Sequence, residues 1–366
     1  MKILFDAEDF KSRPRGIVKT TLCLYKACQE ALPGLEITGI TRKRVATTLP
    51  DSIGIVQLKP NLPRGVWRTV MYNAYMAFHG CAALHFPANG LIPPIVTRRN
   101  INTVMTLHDV VQLIIPGQFK NDAKLDQYRK RRQNDIDRSK IVFTVSECSK
   151  KDILNHFRVR SEPVVLNQAP TLIPGAYDPI MDIAGTKDFF LYNGGYDRRK
   201  GLEPLIRVFL GLHQEKKITS KLYLTGSPSF YSDDFTRLVK EATTMGVLKE
   251  LGYVSDQELI ALMRKARGLI YPSLYEGFGL PPLEAMNVGC PVITTPYSSI
   301  PEVCGDAVLY IHPENDKEFG DAIVALEQNG QLRSQLIVKG KEQAGRFTWS
   351  RSASIFLEHL ERLHAA

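Results

Sequence analysis

Glu276 and Glu284, with seven residues between them, stand in the stretch LIYPSLYEGFGLPPLEAMNVGCPVITTPYSSIPEV at 269–303. Residues 269–271 read as a short buried strand and 272–280 as a loop. Pro281 and Pro282 then open a helix, where the missing N–H of proline costs no hydrogen bond. Gly289 ends that helix, and 291–293 starts the next strand. Gly277 and Gly279 let backbone amides approach a ligand closely, and the helix N-terminus behind them favours negative charge. Carboxylates beside such a cradle repel a phosphate unless they bind something else, and sugar hydroxyls are the obvious partners. The implied chemistry is that of a sugar nucleotide.

A second anion cradle lies upstream. The strand at 189–192 runs into Asn193-Gly194-Gly195-Tyr196-Asp197-Arg198-Arg199-Lys200-Gly201, and a helix starts at Leu202. In the first half, a strand at 2–5 and a loop at 6–15 lead to Gly16 and a helix over 17–30. No G-x-G-x-x-G is present, so a dinucleotide site has little support, while Arg13 and Arg15 are candidate phosphate or acceptor contacts. A buried strand at 103–107 ends in His108-Asp109, and a His at the carboxyl end of a parallel strand points toward the ligand crevice. His85, in LHFP, is a weaker candidate of the same kind.

The form YEGFGLPPLEAM followed by GCPVI resembles the signature of retaining glycosyltransferases of the GT-B fold, family 4. VMTLHDVVQLIIPGQF and VSECSKKDIL resemble further segments of that family, as does the closing helix after Phe347-Thr348-Trp349. The resemblance implies two Rossmann-like, doubly wound parallel-sheet domains facing a central cleft. They would be residues 1–180 on the acceptor side, joined by a C-terminal helix at 350–366, and residues 181–349 holding the donor. It also implies roles. Glu276 contacts the donor sugar and Glu284 the ribose. Arg199 and Lys200 neutralise the pyrophosphate, and His108 lies over the sugar at the reacting centre. Gly16, Gly194, Gly277, Phe278, Gly279 and Leu280 line the donor, and the turn at Tyr253-Val254 meets the base through its backbone. One departure stands out. Many members carry an Arg soon after the strand, where this chain has Gly195, so Arg199 or Arg198 must supply that charge.

The activity so implied is transfer of a hexose, with mannose from GDP-mannose the leading donor, to a saccharide or lipid-linked saccharide in surface polysaccharide or glycolipid assembly. A UDP-sugar transferase of the same fold and a sugar-nucleotide epimerase are the alternatives. An epimerase needs acid/base carboxylates on both sides of the sugar, and no second pair is evident. No cofactor and no metal are expected. The one D-x-D triplet, Asp135-Ile136-Asp137, falls in a basic helix rather than at a strand end and reads as solvated charge.

Length and composition set the outer limits. A chain of 366 residues suits two domains, and 44% hydrophobic with 23% charged residues describes a globular protein. No run approaches the roughly 20 apolar residues that span a bilayer, and MKILFDAEDF does not read as a signal peptide. Six cysteines without C-x-x-C or metal-like spacing suit a reducing cytoplasm. The formal charge of +9 is uneven: residues 1–180 hold 26 Lys and Arg against 15 Asp and Glu. That half either faces an anionic partner, such as a phosphate-bearing acceptor or the inner face of the cytoplasmic membrane, or is a solvated basic surface. The basic helix at 124–140 carries the same two readings, and too few aromatics interleave it for nucleic-acid binding. Residues 61–80 mix Arg64, Trp67 and Arg68 with a Met/Tyr/Phe stripe; a core-facing helix explains this more simply than a lipid contact. Prolines at 170, 174 and 179 place the interdomain linker at 166–180.

Overall fold

The computed structural model describes residues 1–10, 16–42, 45, 49–59, 62–88, 92–94, 101–117, 119, 121–172, 188–226 and 232–365. Arg13, Arg15 and most of the proline-rich stretch lie outside them. The chain divides into two compact units, Met1–Gln168 with Thr348–Ala366, and Ala169–Phe347.

The first unit runs β1 (Lys2–Asp6), α1 (Gly16–Ala31), β2 (Glu36–Thr41), β3 (Ile53–Gln57), α2 (Arg64–Phe78), β4 (Ala83–Phe86), β5 (Thr103–Thr106), α3 (Val111–Ile114), α4 (Asp122–Arg138), β6 (Ile141–Thr144), α5 (Glu147–His156) and β7 (Val164–Val165). Its strands form one parallel sheet in the order β3-β2-β1-β4-β5-β6-β7. The order reverses between β1 and β4, which is where such sheets open a ligand crevice. Ile3, Leu4 and Phe5 of β1 are all fully buried, as a central strand covered on both faces requires.

The helix α2 buries Trp67, Tyr72 and Met76, and Arg68 inside it pairs with Asp6 at 2.6 Å. Trp67, Tyr72 and Met76 are therefore core, while Phe78 at the end of the stripe is exposed along with Val66 and Val70. The acidic triplet departs from the solvated reading. Asp135 is buried, accepts a hydrogen bond from the Ile92 amide at 2.8 Å and pairs with Arg132 at 3.2 Å. Its neighbour Asp137 stays exposed. The helix α4 thus has a buried face made of Arg132, Asp135 and Ile136, which its charge-rich composition conceals.

The second unit runs β8 (Phe189–Asn193), a 3-10 turn (Arg198–Lys200), α6 (Leu202–Gln214), β9 (Lys221–Thr225), α7 (Asp233–Thr244), β10 (Leu248–Gly252), α8 (Asp256–Lys265), β11 (Leu269–Tyr271), α9 (Leu280–Val288), β12 (Val292–Thr294), α10 (Ile300–Cys304), β13 (Leu309–Tyr310), α11 (Asp316–Gln328) and α12 (Gly330–Ala344). Its six strands are parallel in the order β10-β9-β8-β11-β12-β13. The helix α6 buries Leu202, Leu205, Ile206 and Phe209 at helical spacing, and Phe209 meets Phe190 of β8 edge-on at 5.9 Å. The capping box read at Ser255 is present: Ser255 Oγ accepts from the Glu258 amide, and the Glu258 carboxylate accepts from the Ser255 amide. The helix α9 begins at Leu280, one residue before the two prolines, with Gly279 as its N-cap and left-handed Gly289 as its C-cap. A final helix, α13 (Trp349–Ala365), belongs to the first unit and packs along α1.

Candidate functional site

In the second sheet the strand order reverses between β8 and β11, and both strands run out into the segments singled out by the sequence. Their register pairs Leu191 with Leu269. After β8 the chain makes the Arg198–Lys200 turn, capped by the Asp197 side chain on the Arg199 amide. After β11 it makes the loop that carries Glu276. The two loops are tied together, since the Leu274 amide donates to the Arg199 carbonyl at 2.7 Å. Gly201 closes the turn with φ +66°, and a Cβ there would lie 2.1 Å from the Pro272 carbonyl oxygen. Only glycine lets the two loops meet so closely.

Glu276 is the centre of this arrangement. Its Oε1 accepts from Lys200 Nζ at 2.5 Å, Ser273 Oγ at 2.5 Å, Tyr271 OH at 2.8 Å and Arg199 Nη1 at 3.3 Å. No hydrogen bond to Oε2 is found among the described residues. One carboxylate oxygen is therefore saturated as an anchor, and the other is placed to accept from a ligand. Burial pushes the Glu276 carboxyl upward, but Lys200 and Arg199 outweigh it and hold the group below its ordinary range. Burial also lowers Lys200, against the attraction of Glu276. The geometry of the pair is that of an ionised salt bridge. Lys200 Nζ also donates to Tyr271 OH at 2.7 Å, so two of its three N–H bonds are engaged and one remains for an anion. Arg199 Nη1 donates to the Tyr275 carbonyl at 2.8 Å as well. The two cations expected beside a pyrophosphate are thus together, but turned onto the carboxylate.

The remaining second-unit candidates divide by position. Gly277 to Leu280 lead into α9, with Gly279 at φ +105°. The Phe278 ring is an anchor, buried edge-on against Phe347 at 5.7 Å. Glu284 sits one turn into α9, buried, with Oε1 accepting from Thr171 Oγ1 at 2.5 Å; Asn287 holds the Leu172 carbonyl at 3.1 Å. Gly194 follows β8, and its amide donates to the Thr225 carbonyl at 3.3 Å. Tyr253 and Val254 follow the edge strand β10, two places from β8 in the sheet, with Tyr253 exposed.

His108 and Gly16 belong to the first unit. Gly16 opens α1, exposed, and a Cβ there would meet nothing within 4 Å. His108 follows β5 and is buried, with Nε2 at 2.9 Å from the Pro87 carbonyl and Nδ1 at 3.4 Å from Gln168 Nε2. A carbonyl can only accept, so the ring is the Nε2–H tautomer, and burial lowers its pKa. His108 lines a cavity with His85, Thr20, Thr21, Gln168 and Trp349. His85 bridges Tyr25 OH at 2.8 Å and Thr106 Oγ1 at 2.9 Å, and burial drives it down to about 3.

Sequence reasoning missed Tyr271, Ser273, Thr171 and Gln168. Tyr271 and Ser273 lie inside the quoted motif, five and three residues before Glu276, yet nothing in residue type reveals which way a loop side chain turns. Thr171 and Gln168 act across long sequence separations, which leave no local signal.

Residues 177–343 match the family described as Glycosyl transferases group 1. The chain is 30% identical over 254 residues to O-antigen chain mannosyltransferase B of Escherichia coli, covering 67% of this chain and 66% of that protein. It is 23% identical over 277 residues to the serotype-specific mannosyltransferase WbdA of Escherichia coli, spanning 71% of this chain but only 33% of WbdA. Among solved structures, sucrose-phosphate synthase of Thermosynechococcus elongatus superposes with a TM-score of 0.76 at 18% identity, over 100% of this chain and 99% of that one. That likeness establishes the fold.

Proposed function

This chain belongs to the glycosyl transferases group 1, with the GT-B fold, and on that premise we propose that it transfers a hexose from a nucleotide-diphosphate sugar to an acceptor hydroxyl. The observation that carries the reading is Glu276 at the β8/β11 reversal, with one oxygen saturated and the other open, beside two cations. In this reading Oε2 of Glu276 accepts from the sugar hydroxyls and Glu284 binds the ribose. Arg199, Lys200 and the amides near Gly279-Leu280 take the charge of the departing diphosphate, without a metal ion. Attack comes from the face the diphosphate leaves, and the leaving phosphate accepts the acceptor's proton, so the anomeric configuration is retained. No carboxylate then acts as nucleophile, unlike the retaining hydrolases.

Two named relatives are mannosyltransferases of Escherichia coli, one of them of the O-antigen chain. This supports mannose from GDP-mannose as donor and a saccharide or lipid-linked saccharide as acceptor, in surface polysaccharide assembly. Among the described residues no helix is long and apolar enough to cross a membrane. The exposed Lys124, Arg129, Lys130 and Arg131 of α4 support an anionic acceptor or a peripheral contact with the inner face of the cytoplasmic membrane, from a cytoplasmic site of action.

The deciding experiment is thermal stabilisation across GDP, UDP, ADP, TDP and their sugar conjugates. A diphosphate at 100 times its dissociation constant adds roughly 2.7 kcal/mol. GDP alone is expected to shift the melt. A shift from UDP alone would keep the transferase and replace the donor, and no shift with any nucleotide would sink the reading. Donor turnover that survived both Glu276→Ala and Lys200→Ala would sink the assigned roles.

A further inference from the structure

Ser298 has a positive φ of +52°, an unusual backbone state for a residue with a side chain. It follows β12, on the loop that packs against the Glu276 loop. Its Oγ accepts the Glu276 amide at 2.8 Å, and the next residue, Ser299, donates its Oγ to the Glu276 carbonyl at 2.9 Å. The peptide groups on both sides of the Glu276 α-carbon are therefore gripped by one pair of side chains. The side-chain partners of Glu276 fix Oε1, but a carboxylate swings about its own backbone, and this grip holds that backbone on both sides of the α-carbon. Strained residues persist where surrounding structure over-determines them, and they concentrate at sites that need a fixed geometry.

The flank of the loop is tied as well. Tyr297 donates its hydroxyl to Glu314 at 2.6 Å, and its ring meets His312 edge-on at 5.8 Å. Ser299 is fully buried and starts α10. The segment from Tyr297 to Ser299 is thus held at one end by a side-chain hydrogen bond and at the other by a helix.

We propose that Ser298 is a positioning residue for the donor sugar: its left-handed backbone aims its hydroxyl at the Glu276 amide and so fixes the open Oε2 toward the sugar hydroxyls. This rests on the reading of Glu276 as the sugar contact. It predicts that Ser298 matters to the sugar and not to the diphosphate, which no merely structural serine would do.

The test compares calorimetric binding of GDP and GDP-mannose, or of UDP and UDP-glucose if those are the ligands, by Ser298→Ala, Ser298→Gly and Glu276→Gln proteins. Glycine tolerates the backbone angle and lacks the hydroxyl, so it separates the two contributions. In both Ser298 variants, loss of the hydrogen bond is expected to weaken the sugar nucleotide about five- to tenfold and leave the free diphosphate within about twofold. Glu276→Gln is expected to show the same selectivity, more strongly. If Glu276→Gln is selective and the Ser298 variants are not, the positioning role is overturned while the sugar contact stands. Equal loss of both ligands in the Ser298 variants, or full sugar-nucleotide binding by Ser298→Gly, overturns it too. If Glu276→Gln spares the sugar nucleotide, the reading of Glu276 itself falls and takes this inference with it.

Discussion

Glu276 stays ionised inside the protein because Lys200 and Arg199 together outweigh the cost of burying it. The sign of the pH effect follows. A carboxyl held below its ordinary value of about 4.3 contributes stability that is full above that pH and is lost as pH falls through the folded value. Lys200→Met removes the nearer cation and leaves Glu276 buried beside Arg199 alone, so its pKa should rise. Donor binding by Lys200→Met is then expected to weaken as pH falls from 7 toward 5, where the parent binds evenly; a pH series of calorimetric titrations reads this directly. Turnover should drop by roughly two to three orders of magnitude, the usual effect of deleting a charge-stabilising group. The partners of this carboxylate show what sequence can convey at this scale. A basic turn at Arg199 and Lys200 and an acidic loop at Glu276, each following a strand, were legible as donor-site candidates, but their direct pairing was not. That Tyr271 and Ser273 would share the same oxygen was not, since residue types carry no rotamer. Asp135 was misread for a related reason: an ion pair one helical turn long, buried beside Ile136, looks in sequence like any solvated pair of charges.

At the scale of elements, glycines distinguish what packing demands from what a ligand would demand. Gly201→Ala must move the Pro272 carbonyl or unwind the turn, because the added Cβ would lie 2.1 Å from that oxygen at a φ of +66°. The melting midpoint should fall, by an amount equivalent to more than about 1 kcal/mol, with the Glu276 loop released along with the turn. Gly16→Ala is the opposite case. Its Cβ would meet nothing within 4 Å, and alanine favours a helix, so stability should hold or rise slightly. If donor phosphates approach that backbone, nucleotide-sugar affinity should nonetheless fall; a calorimetric titration alongside the melt separates the two effects. The elements themselves were largely legible. Caps such as Ser255–Glu258, the paired prolines of α9 and the spacing of Leu202, Leu205, Ile206 and Phe209 are local signals, and local signals survive in sequence. Their limits are seen in α2, where one helix buries Trp67 and Arg68 yet exposes Val66 and Val70 between and beside them.

For the molecule as a whole, two parallel sheets were legible through the family resemblance together with strand–turn–helix units whose strands are apolar runs, such as residues 189–192 and Leu269–Tyr271; the edge strand β10, LKELG, gives no such signal. Which sheet the last helix joins is not written in its amphipathic pattern, which could cover either, and was legible only through the resemblance to the family's closing helix. The structure places α13 in the first unit, burying Ala353, Phe356, Leu357 and Leu360. Phe356 packs 4.9 Å from the Phe143 ring and 5.1 Å from His85, and the Leu363 carbonyl accepts from Asn102 at 3.0 Å. A chain ending at residue 347 would expose that face of the first sheet and wet the buried His85. Two outcomes are expected of it. Limited proteolysis should cut within the first 168 residues while the second unit resists, because the apolar cluster packed around α6, β8 and β9 is built from residues between Phe190 and Leu336. Acid sensitivity should also change. His85 is held neutral down to about 3 by burial, whereas in the unfolded chain it takes up a proton near 6.5. In the full-length protein this drains stability as pH falls from about 6.5 toward 3, at up to about 1.4 kcal/mol per pH unit for this one group. With α13 gone, His85 titrates near its ordinary value in both states, and its contribution to that slope should vanish. Urea titrations of the two proteins at pH 7 and pH 5 measure the difference, and equal slopes would show that the closing helix does not keep His85 dry.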